Sequence, residues 1–101
     1  MLDHMKLSYV YILKCFDNTF YTGVTSNLEK RFLEYTSGKH KDSYTFKRRP
    51  VTLEFFCTFT DISIAIAKEK QIKKWSQAKK NALINGEYEN LPNLAKKKFK
   101  E

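Results

Sequence analysis

The sequence predicts an α+β fold, a three-stranded antiparallel sheet flanked by helices in the order β-β-α-β-α-α. Three observations carry this prediction. Two aromatic and β-branched runs near the start are separated by a turn signal, which reads as a hairpin. A third run, at 51–59, alternates apolar and polar residues with period 2. Capped stretches of helical period lie between and after these strands, and covering the sheet with them buries the most apolar surface available.

The elements follow in order. Tyr9-Val10-Tyr11-Ile12-Leu13-Lys14-Cys15 is a strand because such side chains suit a pleated surface. Phe16-Asp17-Asn18 turns the chain, and Thr19-Phe20-Tyr21-Thr22-Gly23-Val24 returns it. Ser26 with Glu29 forms a capping-box pattern that opens a helix to about Ser37, with Gly38 as its stop and Leu28, Phe32 and Tyr35 on one face. Residues 38–50 lack a period and read as a loop. Val51, Leu53, Phe55, Cys57 and Phe59 then form the apolar face of the third strand. Asp61 caps a helix running to about Trp75, with an apolar stripe of Ile62, Ala65, Ile66, Ile72 and Trp75. A shorter helix fits Gln77 to Asn85 and stops at Gly86. Residues 6–86 thus make one domain, 87–101 a basic tail, and 1–5 a tag-like or disordered start.

Composition narrows the function. The 101 residues suffice for one core, and 42% hydrophobic with 15% aromatic content excludes a disordered chain. Cys15 and Cys57 are too few for a disulfide scaffold or an unaided structural zinc site. No apolar run reaches membrane-spanning length and no signal-peptide pattern opens the chain, so a cytoplasmic location is expected. Nineteen bases against 11 acids give a net charge of +8, which suits a polyanion such as nucleic acid. Residues 1–46 hold only +1 of this and residues 47–101 hold +7. The second half carries it in Lys47-Arg48-Arg49, in helical lysines including Lys73 and Lys74, and in the tail.

Glu69 breaks the pattern. Continuing the stripe from Ala65 and Ile66 lands on this carboxylate, which is costly to bury unless paired, protonated or bound to a cation. It is either a salt-bridged or boundary residue, or a metal ligand or general base. Asn81, a poor helix former, raises a weaker form of the same question. Tyr9, Tyr11 and Tyr21 sit on adjacent strands, where core packing is the default and proton transfer by a shifted phenol the alternative.

Tyr9-Val10-Tyr11, Tyr21-Thr22-Gly23, Arg31 in the first helix, Glu69 and Asn81 together resemble the GIY-YIG nuclease superfamily, in particular its small bacterial single-domain members. Residues 21–31, the loop 43–50 and residues 68–76 look like further segments of that group. The resemblance implies hydrolysis of DNA phosphodiester bonds with one divalent ion, Mg2+ or Mn2+. It implies Glu69 as the single protein ligand, Arg31 as the grip on the scissile phosphate, and Tyr11 and Tyr21 as the groups that activate or position water. Gly23 would let the backbone approach the substrate, and Asn81 would anchor the site. Tyr9 stands where the superfamily has glycine, and Thr22 where it has isoleucine. Tyr35 stands where many members have histidine, as it also does in the nuclease domain of the bacterial excision-repair incision subunit. His40 is a nearby substitute or a solvated loop residue.

Strand geometry adds a condition of its own. A two-residue turn at Asp17-Asn18 would put Tyr11 and Tyr21 on opposite faces. A shared site needs an odd loop or a bulge, leaving Val10, Ile12, Phe20 and Val24 to pack beneath helices. The expected function is then a metal-dependent endonuclease, for branched or damaged DNA, with Lys47, Arg48, Arg49, Lys73 and Lys74 on the DNA. The alternative is a nucleic-acid-binding module without catalysis; a protein partner or homodimer is not visible in the sequence.

Overall fold

A computed structural model of the chain describes residues 6–39, 41 and 44–87. The start at 1–5, His40 and nearly all of the basic tail lie outside the described residues. The elements are β1 (Ser8–Lys14), β2 (Phe20–Thr25), α1 (Leu28–Ser37), a 3₁₀ turn (Phe46–Arg48), β3 (Thr52–Phe59), α2 (Ile62–Lys73) and α3 (Gln77–Ile84). The sheet is three-stranded and antiparallel, as expected from the sequence, and its strand order is β2-β1-β3.

The hairpin meets the geometric condition. Lys14 pairs with Phe20, so residues 15–19 form an odd loop, with Asn18 in the left-handed region at φ 68°. Tyr11 then faces Gly23 and Leu13 faces Tyr21 on one side of the sheet. Val10 and Ile12 turn to the other side and join Ala65, Ile72 and Leu83 of α2 and α3, with Phe20 and Val24 packed against them. Tyr11, Leu13 and Cys15 meet Tyr35 and Val51 in a second core, which Leu28 and Phe32 of α1 help to cover.

Three local details depart from the sequence reading. The cap of α1 is Asn27, whose side chain accepts from Lys30 N–H at 3.0 Å, and not Ser26. Asparagine caps as well as serine, so the frame slips by one residue and Glu29 lies in the first turn without closing a capping box. β3 does not keep its apolar residues on one face. Ile12 pairs with Phe55 but Leu13 with Leu53, so Glu54 is the extra residue of a bulge. Phe55, Cys57 and Phe59 therefore enter the first core, while Val51 and Leu53 enter the second. In α2 the buried stripe is Ala65, Glu69 and Ile72, whereas Ile62 and Ile66 are 47% and 39% exposed. The cap at Asp61 is as expected, its carboxylate accepting from Ser63 N–H at 2.8 Å.

Candidate active site

β1 and β2 bring two phenols to the same face, where α1 adds a third. Tyr11 Oη and Tyr35 Oη are 2.9 Å apart in a buried hydrogen bond. The Tyr35 ring meets Tyr21 edge-on, with centroids 5.6 Å apart. Gly23 explains how Tyr11 fits: a Cβ at position 23 would run into the Tyr11 phenol oxygen and ring. The room left by the missing side chain is thus occupied by the neighbouring strand's phenol, which gives this glycine a packing role.

Arg31 lies one helical turn before Tyr35 on α1. Its Nε is 3.3 Å from the Glu34 carboxylate, and 41% of its side chain is exposed. Partial burial works against its charge, but the Tyr35 and Tyr11 phenols more than offset this and hold the guanidinium above its usual range. Burial pushes the Tyr11 phenol up; the Tyr35 hydrogen bond and Arg31 act against the rise. Tyr21 is pushed up to about 12, first by burial and then by the Tyr35 phenol, with Lys73 and Arg31 pulling the other way. Tyr35 is raised for the same first reason, and by its bond to Tyr11. All three phenols are protonated near neutral pH.

Glu69 comes from the other layer. It is 7% exposed, on the buried stripe of α2, and its Oε2 is 3.0 Å from Lys73 Nζ. The salt-bridge reading of this residue therefore describes its state in the structure, since a buried carboxylate needs a partner. Donating to the Glu69 carboxylate raises Lys73, and Tyr21 adds to the rise. The Lys73 charge in turn works against the rise of the Tyr21 phenol. Among the described residues no three His, Cys, Asp or Glu side chains gather as a metal cage. A lone buried carboxylate fits a hard divalent ion that keeps most of its waters, and does not fit a calcium or zinc cage.

The remaining sequence candidates are more scattered. Asn81 is exposed on α3, and its side chain has no hydrogen-bond partner among the described residues. Tyr9 shares the tyrosine face but turns its ring edge to Phe56 at 6.3 Å, lining a groove with Leu28 and Phe32. Lys47 and Lys74 are exposed. Arg48 and Arg49 have partners inside the chain. Arg48 Nε is 3.1 Å from Asp17 Oδ2, its Nη1 donates to Tyr44 O at 2.9 Å, and its guanidinium lies 3.9 Å over the Tyr44 ring. Arg49 Nε donates to Phe46 O at 2.9 Å, and its guanidinium lies 4.4 Å over the Phe46 ring.

Sequence reasoning missed Tyr44. Its ring stacks on Tyr21 with centroids 5.9 Å apart and planes 22° apart. Tyr21 is thus held between Tyr35 and Tyr44, and Tyr44 is backed by Arg48. The signal was present as aromatic and basic residues at 44, 46, 48 and 49, read as free charge and not as cation–π pairs.

The model of the GIY-YIG catalytic domain matches residues 7–82, from β1 through most of α3. A UPF0213 protein of Syntrophus aciditrophicus is 49% identical over 80 residues, covering 79% of this chain and 92% of the relative. One of Natronomonas pharaonis is 43% identical over 79 residues, covering 78% and 92%. The solution NMR structure of a UPF0213 protein from Bacillus halodurans superimposes with a TM-score of 0.52 at 36% identity, covering 88% of this chain and 97% of that one. The chain therefore belongs to the GIY-YIG family.

Proposed function

We propose that this chain is a divalent-metal-dependent endonuclease that hydrolyses DNA phosphodiester bonds, with residues 6–86 as its catalytic domain. The observation that carries this reading is the cluster of Tyr11, Tyr21, Tyr35 and Arg31 on one face, together with the buried carboxylate of Glu69 on α2, paired with Lys73. Packing alone has no need of a carboxylate on the buried stripe of α2.

Each residue then has a task. Arg31, charged and partly exposed, takes the non-bridging oxygens of the scissile phosphate and opposes the charge that develops there. Tyr21 Oη keeps its proton near neutral pH and orients the attacking water by hydrogen bonding; as a general base it would need a nearby cation to bring its pKa down. Tyr35 fixes both neighbouring phenols, so it stands as a positioning residue. Glu69 would hold one Mg2+ or Mn2+ ion, which when bound supplies Lewis-acid activation of the phosphate and water. Lys73, displaced from Glu69, is free to take a phosphate oxygen. Lys47 and Lys74 add exposed charge for the DNA backbone.

One observation favours a second reading, a DNA-binding module without catalysis. The Glu69–Lys73 pair at 3.0 Å already satisfies the carboxylate without any metal. Titrating Mg2+ into cleavage reactions on linear, flapped and branched DNA, with wild type and Glu69→Ala side by side, separates the two. Metal-dependent cleavage lost in Glu69→Ala supports the nuclease. Salt-sensitive binding with no cleavage of any substrate supports the module.

A further inference from the structure

The turn between β1 and β2 is held in place from several sides, and it displays a phenylalanine. Within the turn, Cys15 N–H donates to Thr19 O at 2.8 Å and Asn18 N–H to Cys15 O at 2.9 Å. The Asp17 carboxylate accepts from Thr19 Oγ1 at 2.6 Å and from Thr19 N–H at 3.2 Å. From outside, Phe16 N–H donates to Arg48 O at 2.8 Å, Arg48 Nε to Asp17 at 3.1 Å, and Gln77 Nε2 to Asn18 O at 2.9 Å. Sheet, 3₁₀ turn and α3 therefore fix the backbone of 15–19 in one shape. Held there, Phe16 is 73% exposed, more than any other large apolar residue described.

A flexible loop can fold an apolar ring back onto the surface; this one is fixed with the ring outward. The arrangement keeps apolar area in water with no packing in return. It also supplies what a stacking contact needs, an aromatic face whose position is settled before the ligand arrives. The neighbours define the chemistry of that ligand. Arg48 is bonded to the same turn, Lys47 next to it is exposed, and Tyr44 carries Arg48 on its ring. Through the Tyr44–Tyr21 stack the patch runs on into the tyrosine cluster. An open aromatic face beside basic side chains suits a nucleic-acid strand, whose phosphates meet the charge and one of whose bases meets the ring.

We propose that Phe16 stacks on an unpaired base beside the cleavage site, which makes the substrate class DNA with splayed or unpaired nucleotides. A base inside an intact duplex already has neighbours on both faces, so only a freed base gains from the ring. The placement beside the cleaved bond rests on the nuclease reading.

The test is binding by fluorescence anisotropy, without added metal, to a DNA containing an unpaired bubble and to the fully paired duplex of the same sequence. Phe16→Ala is expected to weaken bubble binding about tenfold, with duplex binding unchanged, and Phe16→Trp to restore it. Because the ring packs against little, both variants should melt with the wild type. Equal loss on both DNAs, no loss on either, or failure of tryptophan to restore binding would overturn the proposal; no loss on either would leave the ring to a protein partner. Cleavage of the same DNAs with Mg2+ keeps the two readings apart. Bubble binding that depends on Phe16 without cleavage sinks the nuclease and keeps the stacking; cleavage with Phe16-independent binding does the reverse.

Discussion

At the scale of single residues, the fit between Tyr11 and Gly23 is the tightest constraint on the site. A methyl group at 23 would meet the Tyr11 oxygen first, so Gly23→Ala must push the phenol off Tyr35 and out of the core. Overpacking of this kind costs about 1–3 kcal/mol. Gly23→Ala is therefore expected to lower the melting temperature and, on the proposed nuclease reading, to reduce cleavage sharply. In a Tyr11→Phe background the first collision is absent, and the same substitution is expected to cost less. A double-mutant cycle on denaturant unfolding measures this coupling, and additive losses would show that the two positions do not interact. The pair could be named from the sequence, but its coupling could not, because only the strand register puts one opposite the other.

At the scale of elements, the helix caps and the strand bulge show what the sequence made legible. Asp61 and Gly38 act where local chemistry places them. Ser26 and Asn27 are both good caps one residue apart, and local chemistry alone does not choose between them. The structure chooses Asn27, so Asn27→Ala is expected to cost about 1 kcal/mol of stability. Ser26→Ala is expected to cost much less; unfolding curves showing the opposite order would reassign the cap. The alternation of β3 was legible, yet its division between two cores was not. The bulge at Glu54 arises from pairing with β1, a partner forty residues earlier in the chain. The stripe of α2 was read too wide for a similar reason. Ile62 and Ile66 have helical spacing, but the sheet does not reach beneath them. Glu69 stood out correctly as a carboxylate on a buried face, while its Lys73 partner was one of several lysines in reach.

At the scale of the molecule, burial of three phenols in one cluster ties global stability to alkaline pH. Tyr21 ionises near 10.0 when exposed and at about 12 in the fold. The folded state therefore keeps a proton that the unfolded state releases, so the contribution is intact below about 10 and is lost as the pH rises towards about 12. Tyr11 and Tyr35 shift in the same direction and add to the slope. Melting temperatures of the wild type are expected to fall more steeply across that window than those of Tyr21→Phe. Parallel curves would mean that Tyr21 titrates as it does in the unfolded chain.

The two layers of the fold also have a consequence for how the protein is made. Tyr11, Tyr21, Arg31 and Tyr35 lie in the first half of the chain, whereas Glu69 belongs to α2 on the far side of the sheet. On the proposed assignment, a nascent or prematurely ended chain has the groups that grip a strand but no carboxylate to complete hydrolysis. On that assignment, synthesis from the amino terminus works as a safety catch, released only when α2 closes the first core.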